Sequence, residues 1–165
     1  MEEIEQKVYQ ILEQLGVCYI KYDHEPLYTI EAAKELDEKM GFPICKNLFL
    51  SSRHQTEFYL LFMEGGKKFH TGKVSKQVGV PRMTFAGEEP MWEYLKIRPG
   101  AVSPLGLLFD TEKRVQFLID EAVLSMEKVA MHPCVNTATI VMDTKDLLQK
   151  VLPYCQHEIK AVTLP

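Results

Sequence analysis

Apolar and polar positions recur along this chain with two periods, and the points where one gives way to the other predict its elements. Between Glu3 and Leu15, Ile4, Val8, Ile11, Leu12 and Leu15 fall at helical spacing and Gly16 offers a stop, so an amphipathic helix opens the fold. Val17 to Tyr22 is β-prone and breaks at the turn His24-Glu25-Pro26. Thr29 stands as a hydroxyl cap before Ile30-Glu31-Ala32-Ala33-Lys34-Glu35-Leu36, a short helix that ends before Gly41. Leu48-Phe49-Leu50 and Phe58-Tyr59-Leu60-Leu61-Phe62-Met63 are continuous apolar runs joined by the polar turn Ser51-Ser52-Arg53-His54-Gln55, the pattern of a buried hairpin. Gly65-Gly66-Lys67-Lys68 then reads as a flexible basic loop. Lys73 to Val78 and Glu88 to Leu95 predict short helices, and Arg82 to Phe85 a short strand. Val115 to Ile119, Met126 to Ala130 and the β-branched Ala138 to Met142 predict strands. A helix over Lys145 to Leu152, capped by Asp143 or Thr144, and a strand over Glu158 to Val162 complete the chain.

Strands outnumber helices and are irregularly interleaved with them. That pattern predicts an α+β fold in a single domain over residues 1–165, with one curved, mixed or largely antiparallel sheet surrounded by helices. No internal repeat, low-complexity segment or linker divides the chain.

Composition narrows the function classes. Hydrophobic residues at 46% and charged residues at 25% are ordinary for a globular protein and exclude disordered and fibrous classes. No apolar run approaches the ~20 residues of a membrane span, and Met1-Glu2-Glu3-Ile4-Glu5 is acidic where an export signal is basic. A soluble cytoplasmic protein without a membrane partner is expected. Cys18, Cys45, Cys134 and Cys155 are scattered, with no Cys-x-x-Cys pair, and read as reduced, mostly buried thiols. With 19 basic and 23 acidic residues the net charge is -4, which argues against a protein that coats long duplexes and so against a DNA partner. Contact with one end of a nucleic acid through a local cluster stays open.

Three stretches combine loop signals with useful chemistry. In Cys45-Lys46-Asn47-Leu48-Phe49-Leu50 two polar residues open onto a buried strand, so an ammonium can stand at the rim of a pocket while its stem lies on apolar surface. Taken alone, Lys46 reads first as a snorkelling surface lysine. Gly100-Ala101-Val102-Ser103-Pro104, between Pro99 and Pro104, is a restrained loop able to turn backbone N–H groups toward an anion or a developing oxyanion. His132-Pro133-Cys134-Val135-Asn136-Thr137 presents an imidazole, an amide and a hydroxyl between two strands. Each of these also has a plain structural reading, as a turn or a satisfied core histidine. His132 and Cys134 suit a nucleophile pair or metal ligands, but no third or fourth ligand accompanies them. Gly-x-Ser-x-Gly, P-loop and Gly-x-Gly-x-x-Gly patterns are absent, so the standard serine-hydrolase, nucleotide-triphosphate and dinucleotide readings lack support.

Together with Tyr28-Thr29-Ile30-Glu31-Ala32-Ala33, and with Leu105-Gly106 extending the second stretch, these segments resemble in order and spacing the prolyl-tRNA editing family, the YbaK/ProX-like aminoacyl-tRNA deacylases. The Lys-Asn-Leu-Phe-Leu form is most similar to the branch that deacylates alanyl-tRNA(Pro). The resemblance implies the fold of the prolyl-tRNA synthetase editing domain and hydrolysis of the ester that joins a wrong amino acid to the 3′-terminal ribose, without metal or cofactor. It implies catalytic positions at Lys46, Gly100, Ser103 and His132, and substrate-binding positions at Ile30, Asn47, Leu48, Ala101, Val102, Pro104 and Asn136. Lys46 would hold phosphate or ribose or orient the attacking water. The implied partners are the acceptor end of tRNA(Pro) and prolyl-tRNA synthetase. Physically, such an enzyme answers a real need: a proline pocket rejects a smaller apolar amino acid by only ~1–3 kcal/mol, so a second, smaller site must shut proline out.

Lys67, Lys68, Lys73, Lys76 and Arg82 form the densest positive segment, with no acidic residue between them, and suit acceptor-stem phosphates or a solvated face. One departure from the family pattern is Ser51 to Gln55, where an acidic and more basic turn is expected. Cysteinyl-tRNA(Pro) or a seryl substrate, and a non-catalytic tRNA- or synthetase-binding module, are the competing readings.

Overall fold

Alternation along two apolar strands decides the layering of this molecule. The computed structural model describes residues 2–27 and 29–165. Strands β2 (Lys46–Ser51) and β3 (Phe58–Met63) form the expected antiparallel hairpin, with Lys46 opposite Met63 and Asn47 opposite Phe62. Short β4 (Thr84–Phe85) borders β2, while β5 (Val115–Asp120) and β8 (Ile159–Val162) extend the other edge in parallel. These five strands make one mixed sheet in the order β4-β2-β3-β5-β8. A second, antiparallel sheet has the order β1-β7-β6, from Tyr19–Asp23, Ala138–Asp143 and Lys128–Met131. The α+β class holds, and the single curved sheet expected from sequence is corrected to two.

The largest core lies between the sheets. Phe49, Phe58, Leu60, Phe62, Phe117 and Ile119 from the five-stranded sheet join Val129, Met131, Ile140 and Met142 from the three-stranded one, with Val8 and Leu12 of α1 (Glu3–Gln14). The alternate residues Leu50, Tyr59, Leu61, Met63 and Leu118 face outward and are covered by Val74 of α3 (Thr71–Val78). On the far side of the small sheet, Ala130 and Val141 pack on Leu36 and Met40 of α2 (Ile30–Met40). Because successive side chains on a strand point to opposite faces, and β3 and β5 are buried at every residue but Gln116, both of their faces are covered.

Local signals explain the helix limits. Thr29 Oγ1 accepts from Ala32 N at 3.0 Å, and Gly41 closes α2 in the left-handed region at φ 88. The helical stretch from Glu88 runs through α4 (Glu88–Pro90) into a π turn over Met91–Leu95. Two short elements were not legible in sequence. Pro104–Phe109 is a 3₁₀ helix with Ser103 as its cap, and α5 (Glu121–Leu124) is a single turn capped by Asp120; neither is long enough to show a period. The C-terminal helical stretch starts at Thr144 and passes from α6 (Thr144–Asp146) through a π turn at Leu147–Val151 to α7 (Leu152–Tyr154); Asp143 is its N-cap but makes no side-chain capping bond. Strand limits shift by up to two residues: β1 starts at Tyr19, β4 at Thr84 and β6 at Lys128. No helix among the described residues is long and apolar enough to cross a membrane.

Candidate functional site

The loop between β6 and β7, residues 132–137, is the hub of the site. Its first residue, His132, follows Met131 at the end of β6 and is half-buried. Its Nδ1 lies 2.8 Å from the Ala138 carbonyl and 3.4 Å from Thr139 Oγ1. A carbonyl only accepts, so Nδ1 carries the proton. Burial pushes this imidazole below its ordinary 6.5, and the neighbouring His24 lowers it further although the Ala138 bond opposes the change. His132 is therefore neutral at pH 7, and its Nε2 lone pair has no partner among the described residues.

His24 was read in sequence only as part of a turn, and the fold makes it the neighbour of His132. The two rings stand 6.1 Å apart, bridged by Thr139, whose Oγ1 is 2.8 Å from His24 Nε2. His24 Nδ1 reaches the Glu25 carbonyl at 2.8 Å and must donate there. One proton arrangement satisfies every hydrogen bond: His132 Nδ1–H points to Ala138 O and Thr139, Thr139 donates to His24 Nε2, and His24 Nδ1–H donates to Glu25 O. No sequence signal short of the β1–β7 pairing, which sets Asp23 opposite Ala138, could have joined residues 115 positions apart.

At the other end of the hub, Asn136 adjoins Gly100. A Cβ built on Gly100 would lie 3.7 Å from Asn136 Nδ2, and Gly100 itself sits at φ +92, where glycine is favoured. The restrained loop thus lies beside the 132–137 loop. Ala101 N donates to Arg98 O at 3.2 Å, so the loop lacks an unbroken row of donors. The N–H groups of Gly100, Val102 and Ser103 make no hydrogen bond among the described residues. Ala101 and Pro104 are buried, and Val102 is half-buried. Ser103 is fully buried, and its Oγ accepts from Leu105 N at 3.2 Å as the cap of the 3₁₀ helix, which leaves its backbone N–H as the group it can offer.

The two polar residues that open β2 part company. Lys46 pairs with Met63 and lies on the face covered by α3, beside Leu48; Asn47 pairs with Phe62 and lies on the inter-sheet face. A shared position at one pocket mouth is thereby replaced by two faces. Lys46 is exposed, and its Nζ donates to Lys67 O at 2.6 Å. Asn47 Oδ1 is buried with no partner among the described residues, a state that ordinarily costs ~1–3 kcal/mol. Ile30 opens α2, but its side chain, like Tyr28, lies outside the described residues.

In the basic segment Lys68, Lys73, Lys76 and Arg82 are exposed, and Lys73 and Lys76 lie on α3, which covers the face that Lys46 shares. Lys67 differs from the others of this group in its contacts. Its ammonium is committed to the buried Asp120 at 3.0 Å and to Leu164 O at 3.0 Å, so it fastens the C-terminal segment to β5. Cysteine chemistry is disfavoured as well. Burial pushes the Cys45 thiol up to about 12, and raises Cys134 still further, so both stay protonated. Among the described residues no group of three or more His, Cys, Asp or Glu is placed to hold a metal ion.

Residues 24–150, spanning His24, Lys46, the Gly100 loop and the His132 loop, match the sequence profile of the family described as aminoacyl-tRNA editing domain. The chain belongs to that family. The prolyl-tRNA editing protein ProX of Acetoanaerobium sticklandii is 32% identical over 162 residues, which cover 98% of both chains. A prolyl-tRNA synthetase associated domain-containing protein 1 from Danio rerio is 27% identical, covering 94% of this chain and 84% of that one. A solved structure of a candidate trans-editing enzyme for prolyl-tRNA synthetase superposes with a TM-score of 0.71 at 21% identity and covers 98% of each chain, a likeness of fold. The editing-domain fold thus accounts for both sheets and for the loops between them.

Proposed function

We propose that this editing domain is a trans-acting deacylase of mischarged tRNA(Pro), with alanyl-tRNA(Pro) as its first substrate. The observation that carries the reading is the neutral His132, with Nδ1 committed to Ala138 O and Nε2 left as an acceptor, on the same loop as Asn136, which adjoins Gly100. In this reading water adds to the ester carbonyl carbon, the carbonyl oxygen takes up negative charge, and the bond to the terminal ribose oxygen breaks. His132 Nε2 accepts a hydrogen bond from the water or from the vicinal ribose hydroxyl, and the released proton ends on the ribose oxygen. Unbonded N–H groups of Gly100 and Val102 donate to the developing oxyanion. Asn47 Oδ1, with no donor among the described residues, suits the α-ammonium of the aminoacyl group.

Lys46, Lys68, Lys73 and Lys76 would meet phosphates of the acceptor end, with Arg82 beyond them. Kinship with ProX over nearly the whole of both chains supports a prolyl-tRNA substrate and action beside prolyl-tRNA synthetase, in the compartment where tRNA is charged. The decisive experiment incubates the protein with tRNA(Pro) charged with radiolabelled alanine, cysteine, serine or proline and follows ester loss. Alanine should be released and proline retained, and Lys46→Ala and His132→Ala should each lower the rate at least ~100-fold. Faster loss of cysteine or serine would reassign the amino acid; tRNA binding with no ester loss above the spontaneous rate would make the chain a binding module.

A further inference from the structure

The lone tryptophan of the chain lines a cleft with the restrained loop, and the catalytic roles proposed above do not use it. Trp92 stands in the π turn Met91–Leu95, where Met91 and Leu95 are buried and the indole is 42% exposed. Two cations are held to it. Arg98 Cζ is 4.5 Å from the ring centroid and Lys96 Nζ 5.8 Å, Lys96 having a left-handed backbone at φ 57 that closes the turn. Trp92, Lys96 and Arg98 line a cleft of about 440 Å³ together with Ala101 and Asn136. Glu2 also lines it, the one carboxylate among its lining residues.

An exposed indole has a flat π face, and a guanidinium beside it adds a second plane with five donors. In a cleft, that pairing fits a planar base bearing a phosphate better than it fits an aliphatic ligand or a bare anion. We infer that the Trp92–Arg98–Lys96 cleft is a stacking site for an unpaired RNA base at the 3′ end of the substrate, its phosphate facing Arg98 and Lys96. The inference rests on the tRNA reading above and adds the place where the single-stranded end is gripped. It also supplies a cause for the cation pair: two like charges beside one ring repel, and an incoming phosphate relieves that.

Because the chain has one tryptophan, its fluorescence reports this site alone. Titration of the full-length protein with the trinucleotide CCA should quench the emission saturably, whereas inorganic phosphate at equal ionic strength should not. By anisotropy of dye-labelled CCA, Trp92→Ala should weaken binding roughly 5- to 100-fold, Trp92→Phe should retain most of it, and Arg98→Gln should weaken it. Circular dichroism and the thermal midpoint of Trp92→Ala should match the parent, since the indole is exposed. On alanyl-tRNA(Pro) the same variant should raise KM with kcat largely unchanged. CCA quenching without any ester hydrolysis would sink the deacylase reading and leave the cleft assignment standing. Hydrolysis with the same KM in Trp92→Ala, equal quenching by phosphate alone, or loss only of synthetase binding in that variant would overturn the cleft assignment.

Discussion

Replacing His157 with glutamine should remove a stabilising contribution confined to the acid and neutral range. His157 is 8% exposed, at the entrance to β8, and its Nε2 lies 2.9 Å from Asp110 Oδ2. Nδ1 faces the Cys155 carbonyl at 2.9 Å, so with a carboxylate on one side and a carbonyl on the other the ring is best satisfied as the imidazolium. Burial opposes that charge, yet the bonds to Asp110 and Cys155 outweigh it and push the group up from 6.5 to about 9. Burial also opposes the Asp110 carboxylate, but bonds from His157, Val115 N and Arg114 N outweigh it and hold the group below its ordinary 3.8. At roughly 1.4 kcal/mol per pH unit, the His157 change is worth about 3 kcal/mol.

The sign follows from which state binds the proton more tightly. The folded protein does, so the contribution is fully present below pH 6.5 and lost as pH rises through about 9. Asp110, depressed, contributes above its ordinary 3.8 and loses that contribution as the solution is acidified below it. Urea unfolding of the parent and His157→Gln, followed by circular dichroism from pH 5.5 to 9.5, measures the difference directly. The stability gap should be about 3 kcal/mol near pH 6 and should close toward pH 9.5. A gap that stays constant across this range would refute the reasoning, because a purely steric loss does not titrate. Function is touched as well, since Asp110 ends the 3₁₀ helix that begins behind the Gly100 loop.

Two further outcomes can be checked. A Cβ on Gly106 would lie 2.6 Å from Ile97 Cδ1, 3.0 Å from Leu95 Cβ and 3.2 Å from Leu95 O, so Gly106→Ala should cost about 1–3 kcal/mol and lower the thermal midpoint by several degrees. An unchanged midpoint would show that Leu95 and its backbone yield freely. Because burial keeps the imidazole of His132 below 6.5, kcat/KM for ester hydrolysis should be level from pH 7 to 8 and fall only in acid, through an apparent value under 6.5. An acid limb centred above 6.5 would assign the titration to another group.

The sequence by itself determined most of the elements and the family. Thr29 and Gly41 bracket α2, the apolar runs of β2 and β3 name a hairpin, and the ordered Lys46, Gly100 and His132 stretches point to the editing family that residues 24–150 confirm. These are properties of local periodicity, turn residues and order along the chain, which need no knowledge of the fold. Only the tertiary structure decided what each group touches. Lys46 and Asn47 are neighbours in sequence but point to opposite sheet faces, because the side chains of a strand alternate. Lys67 has the same charge as Lys68, yet it is committed to Asp120, 53 positions away. The hydroxyl of Ser103 is spent on a cap that the short 3₁₀ helix does not announce. His24 meets His132 through Thr139 because β1 and β6 flank β7, and that pairing is a long-range choice made by burying two sheets against one another.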